Sequence, residues 1–167
     1  MDAETLRDSI LKASGDLNPE PANGSPIRHL ELLVNRAPNL HKPSNHRSVY
    51  LCMLRNSPPE ELVAFDLPDS LKVAGKRNET MLPTQSLFLL NSDFVTAQAQ
   101  TFANSLDAKS ETEARIQSVW KRTLNRVPTP TELSDARFLV DTMQPRSQAW
   151  PALCQALLAT NEFRYVD

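Results

Sequence analysis

Thirteen prolines against three glycines constrain this chain of 167 residues more than any other feature. Proline fixes φ and carries no backbone N–H, so it suits helix starts and turns and interrupts helix interiors and central strands. Pro58, Pro68, Pro83 and Pro130 stand where elements are expected to begin or end, whereas Pro19, Pro21, Pro26, Pro38 and Pro43 crowd residues 16–45. That stretch, which also holds the turn pair Asn23-Gly24, reads as a loop-rich insert with order expected only at Leu30–Val34. Gly15, Gly24 and Gly75 stand singly, which excludes a glycine-rich phosphate loop.

The rest of the composition is that of a globular protein, 40% hydrophobic and 23% charged, long enough to bury a core without disulfides or a structural metal. A formal charge of −2 gives no field that would draw nucleic acid or a membrane. The longest apolar runs, Val49–Leu54 and Leu87–Leu90, fall far short of a membrane span of about 20 residues. Met1-Asp2-Ala3-Glu4 opens a helix and has neither the basic nor the apolar region of a signal peptide.

Local signals predict most elements. Asp2 caps a first helix with Leu6, Ile10 and Ala13 inward and Gly15 as its stop. The run Val49–Leu54 predicts a strand over 47–56, and 71–81 a second extended stretch. Ser57-Pro58-Pro59-Glu60 predicts a capped short helix reaching about Phe65. After Pro83 the chain reads as helical: 84–90; a helix after Asn91-Ser92 with Val95, Ala99, Phe102 and Leu106 inward; one opened by Ser110 and Glu113 with Ile116, Trp120, Thr123 and Val127 on one face; one opened by Thr129-Pro130-Thr131-Glu132 with Leu133, Ala136, Val140 and Met143; and a last from about Trp150 to Thr160 with Leu153, Ala156 and Leu157 inward. The expectation is a mainly α fold, a bundle of about five to six helices with a small extended/β element near residues 47–56 and 71–81, in a single domain over 1–167 with 83–167 as its helical body.

Chemistry is sparse. His29, His41 and His46 lack metal-ligand spacing, so no metal is expected. Residues 28–56 carry Arg28, Arg36, Lys42, Arg47 and Arg55 against Glu31 alone, a patch better suited to answering the acidic remainder of the chain than to nucleic acid. Asp66 and Asp69 flank a turn, with Arg77, Asn78 and Thr80 on the following segment. Turn duty, an Arg–Asp bridge and acid/base work all fit these residues. Cys52 and Cys154 sit in apolar surroundings and match no disulfide framework. No Gly-x-Ser-x-Gly elbow and no Cys-x-x-Cys-His haem motif is present.

Several polar blocks in order are more specific than any single residue. Arg47-Ser48-Val49-Tyr50-Leu51 with Arg55-Asn56, then Phe65-Asp66-x-Pro68-Asp69, Arg77-x-x-Thr80-x-x-Pro83-Thr84-Gln85-x-Leu87 with Leu89-Leu90-Asn91, Arg126-x-Pro128-Thr129-x-x-Glu132 and Leu157-Leu158-x-Thr160-Asn161-Glu162-Phe163-x-Tyr165-Val166-Asp167 resemble the bacterial domain of unknown function called PSD-one, the planctomycete secreted domain. Asp2-Ala3-Glu4-x-x-Arg7-Asp8 to Ser14-Gly15 is similar to its opening helix. The chain departs from the family pattern at His46-Arg47, where a doubled arginine is usual, and at Gln85-Ser86-Leu87 in place of Gln-Ala-Leu.

The resemblance implies the C-terminal portion of a larger family domain, in a secreted or periplasmic/cell-envelope multidomain bacterial protein. Its partners would be upstream domains of the same parent or a neighbouring gene product, with c-type haem in upstream domains and no cofactor in this chain. The candidate polar cluster is Arg47, Arg55, Asp66, Asp69, Arg77, Gln85 and Asn91, serving binding or interdomain docking. Two rivals remain: an extracellular hydrolase-like site using Asp66 or Asp69 with Arg77, and a purely structural helical domain.

Overall fold

The computed structural model describes residues 1–23, 43–53, 57–68, 75–76, 80 and 82–165. Among them are six helices of nine to thirteen residues: α1 (Ala3–Ser14), α3 (Pro83–Asn91), α4 (Asp93–Asn104), α5 (Thr112–Leu124), α6 (Pro130–Thr142) and α7 (Arg146–Leu158). Two four-residue helices, α2 (Glu60–Val63) and α8 (Asn161–Arg164), complete the order. The fold is mainly helical, and no strand lies among the described residues.

Local sequence fixes many of the ends. The Asp2 carboxylate accepts the Thr5 amide at 2.9 Å, and Gly15 stops α1 in the left-handed region at φ 84°, which glycine adopts without a Cβ penalty. Ser92 caps α4 through the Val95 amide. Thr129 and Glu132 form the expected capping box around Pro130.

α4 is the central helix, packed between α7 and α1, while α6 closes on α5 and α7. Val95, Ala99, Phe102 and Leu106 are all buried, as their spacing predicts, and one apolar cluster runs from Ala3 to Phe163.

Several expectations are corrected. The strand over 47–56 is a 3-10 turn at Ser48–Tyr50, with Val49 70% exposed. Asp8 takes both the amide and the hydroxyl of Ser48, at 2.8 and 2.7 Å, and this coils the chain onto α1 where an apolar run would otherwise extend. Of the stretch 71–81 only residues 75, 76 and 80 are described, and Leu30–Val34 also lies outside the described residues.

Other corrections concern helix ends. The residue before α2 is Pro59, whose carbonyl accepts from Leu62 and Val63, and Ser57 does not cap the helix. Ser110 bonds back to Asp107, so α5 begins without the expected capping box. Asn125 ends α5 in the left-handed region, which takes Val127 out of helical phase and leaves it 69% exposed. Pro151 lies inside α7 instead of at its start. Burial of Ala149, Pro151 and Leu153 sustains a turn that proline alone would discourage. Ala156 faces solvent, and Phe163 of α8 fills the core nearby.

Candidate functional site

Three polar networks tie the motif blocks together. The first is built on Arg7, the largest of the fully buried side chains, at 2% exposed. Its Nε donates to Glu61 Oε1 at 3.3 Å, and its Nη1 to the His46 carbonyl at 2.9 Å and to Ser48 Oγ at 3.3 Å. Its Nη2 donates to the Ser44 carbonyl, and the guanidinium lies over the Phe94 ring, 5.6 Å from its centroid. Burial lowers its pKa while Glu61 and Asp8 oppose that shift; an arginine so placed stays charged. Arg47, 55% exposed, reaches Asp8 at 3.6 Å on the rim of this network.

The second network centres on Asp66, a non-glycine residue at φ 58°. Its Oδ2 accepts the Thr80 amide at 2.8 Å, its Oδ1 the Thr80 hydroxyl at 2.7 Å, and Gln85 Nε2 approaches Oδ2 at 3.4 Å. Gln85 is 1% exposed, and its Oε1 accepts the Leu82 amide at 3.3 Å and Nη2 of Arg164. Arg164, itself buried, is flanked by the rings of Phe65 and Tyr165 at 5.3 and 5.0 Å. Desolvation raises the Asp66 pKa, but hydrogen bonds from Thr80 and Gln85 and the charge of Arg164 outweigh it and hold the carboxyl below the usual aspartate value.

In the third, Arg126 uses its fork on two carboxylates. Nη1 and Nη2 donate to Glu132 at 2.8 and 2.6 Å, while Nε and Nη2 donate to Glu162 at 2.6 and 2.8 Å. The arginine holds both carboxyls below their usual range, Glu132 strongly so with help from the Thr129 amide. The block 126–132 is thereby clamped to α8.

Of the seven sequence-predicted site residues, Arg55, Asp69 and Arg77 lie outside the described residues. Asp66 and Gln85 meet in the second network. Arg47 belongs to the first, and Asn91 donates to the Leu87 carbonyl of its own helix at 2.9 Å. Arg164 is not among the sequence-predicted site residues, and Arg7 stands in the sequence only within the opening motif. Arg7 carried a signal, since it stands four residues after Ala3 and three before Ile10, on the buried stripe of α1.

Among the described residues no three His, Cys, Asp or Glu side chains gather as a metal group, and no helix is long and apolar enough to cross a membrane. His29 and His41 are outside the described residues, and His46 Nδ1–H donates to the Glu20 carbonyl at 2.9 Å. Cys154 is a free, fully buried thiol whose pKa burial pushes up to about 12, the opposite of an activated nucleophile.

Among the described residues are three surface grooves, each lined in part by a residue of these networks. One of 670 Å³ runs between α1 and α5 past Lys12, Lys121 and Arg122. One of 380 Å³ lies beside Asp8, Arg47 and Met53. One of 230 Å³ lies where α2 meets the junction of α3 and α4, between Glu60, Glu61, Phe88, Asp93 and Phe94.

Most of the blocks that meet in these networks fall within one family match. The model of PSD1, described as a protein of unknown function (DUF1553), matches residues 1–140. The chain belongs to this family. No curated protein and no solved structure matches the chain. The PSD1 match takes in Arg7, Asp66, Gln85 and Arg126 and ends before α7, so the closing block with Glu162 and Arg164 lies beyond it. In this PSD1 chain the two partners from α8 nevertheless complete the second and third networks.

Proposed function

We propose that the chain is a non-catalytic helical module of a secreted or cell-envelope bacterial protein, and that it serves binding or interdomain docking. The closure of Asp66 carries this reading. An acid/base group needs a proton to give or a lone pair free to take one. Asp66 is held ionised and so has no proton to give, and the hydrogen bonds from Thr80 and Gln85 that lower its pKa make it a poor proton acceptor. Arg7 and Arg126 are likewise engaged by carboxylates and carbonyls of the same chain, so the polar motif blocks act as internal brackets.

The described surface also carries large apolar side chains: Val63, Leu82, Leu87, Leu90, Val127 and Phe138 are each more than half exposed, and three of them, Leu82, Leu87 and Leu90, belong to α3 or its N-cap, as suits an interaction site. The occupants would be upstream domains of the same parent or a neighbouring gene product. Chemical crosslinking of the tagged chain in the cell that encodes it tests this. The expected result is a crosslink to one defined polypeptide. Turnover of an extracellular polysaccharide or peptide that is abolished by Asp66→Asn without loss of folding would refute it.

A further inference from the structure

Resting on that docking reading, we propose that the outward face of α3 and the acidic groove beside it are the docking surface, and that the occupant is a partner segment combining leucine-like side chains with lysine or arginine. The amphipathicity of α3 is weak: Gln85, Phe88 and Leu89 turn inward, while two leucines share the exposed side with Thr84, Ser86 and Asn91. A helix on a protein surface ordinarily turns its apolar stripe inward and its polar residues out. Here the innermost side chains are Gln85, at 1% exposed, and Leu89, while Leu87 and Leu90 point outward at 60% and 56% exposed. Gln85 is turned inward because Leu82, Asp66 and Arg164 need it. Among the described residues nothing covers these two leucines, one turn of helix apart, and a partner surface would bury them.

The groove next to them sets the charge of that surface. Phe88 and Asn91 line its α3 side, and Asn91 lies one turn beyond Leu87 on the same face of the helix. Glu60 and Glu61 of α2 and Asp93 of α4 supply three carboxylates. Glu61 is neutralised by Arg7 at 3.3 Å. Glu60 and Asp93 have no ion-pair partner among the described residues. Each stands in the first turn of its helix, whose dipole offsets only part of a full charge. Aromatic carbon of Phe88 and Phe94 lines the same groove, as suits the stem and head of a long cationic side chain. The negative groove repels anionic lipid and nucleic acid, which leaves a basic, leucine-bearing protein segment as the occupant.

The test is fluorescence anisotropy of the full chain with two labelled helical peptides of matched leucine pattern, one carrying arginine and the other glutamate at the flanking positions. The arginine peptide is expected to bind at least about tenfold more tightly, and Leu87→Ser with Leu90→Ser to weaken it by about tenfold or more, as central apolar contacts do. Glu60→Gln with Asp93→Asn is expected to weaken it severalfold and to flatten its salt dependence. All four substitutions are at exposed positions, and circular dichroism verifies that the variants are folded. Equal binding of the two peptides, or affinity unchanged by the leucine substitutions, overturns the assignment. So does a concentration-dependent dimer in sedimentation that Leu90→Ser abolishes, which would make a second copy the occupant. A cellular crosslink formed from another face, near Val127 or Phe138, would sink the α3 assignment while the docking reading stands. The absence of any crosslink would sink the docking reading itself.

Discussion

Arg7→Met is the most informative perturbation of the fold. Methionine keeps an apolar stem beside Phe94 but removes the guanidinium, which is 2% exposed and bonds to Glu61, Ser48 and the carbonyls of Ser44 and His46. Ser48 Oγ keeps Asp8 at 2.7 Å, and the 25% exposed Glu61 side chain regains water. The uncompensated loss therefore falls mainly on the two carbonyls and on the link from α1 to the 44–48 segment. Leaving a buried acceptor unmade costs about 1–3 kcal/mol, and the carbonyls of half-buried Ser44 and His46 fall toward the lower end. Release of the guanidinium from its desolvated position offsets part of this. A net loss of roughly 1–3 kcal/mol follows from these terms. At about 2–4 °C per kcal/mol for a chain of this size, Tm should fall by roughly 3–10 °C. Urea and thermal unfolding followed by tryptophan fluorescence and circular dichroism measure it, with Arg47→Ala as the control expected to cost under about 1 kcal/mol. If Arg7→Met is as stable as the parent, the bracket reasoning is wrong.

Other predictions follow the same logic. Because Arg126 holds Glu132 and Glu162 below their unfolded pKa values, their contribution is present above the ordinary carboxylate range and is lost as pH falls through and below it. Urea midpoints should thus be flat from pH 7 to about 5 and fall below about 4.5, with a smaller acid loss in Arg126→Gln. Gly15→Ala should cost about 1–2 kcal/mol, since alanine is strained at φ 84° and its Cβ would lie 3.1 Å from Arg122 Nη2; no change in the unfolding midpoint contradicts this. Thiol titration of the native chain should label Cys52 and leave Cys154 protected until denaturant is added, given the burial that pushes Cys154 up to about 12.

The helical body was legible because its signals are local. The Thr129–Glu132 box and the 95–99–102–106 stripe depend on residues within a turn or two of each other. The networks were not legible, because their members meet only after folding. Arg7 reaches His46 across 39 residues, and Arg164 reaches Gln85 across 79. The apolar run 49–54 read as a strand because periodicity cannot register that Asp8, 40 residues earlier, captures Ser48. Asp66 and Gln85 both stand in the seven-residue candidate cluster and approach to 3.4 Å, but sequence cannot tell an open site from a closed one.

That distinction rests on the charge state of one side chain. A side-chain carboxyl NMR titration of Asp66 in the folded chain, assigned through Asp66→Asn, measures it directly. The bracket account predicts a midpoint below the ordinary aspartate value of about 3.9, with the Thr80 amide shift following the same curve. A midpoint well above about 5, where a carboxyl carries a proton it can deliver, would contradict the account and return Asp66 to the role of an acid.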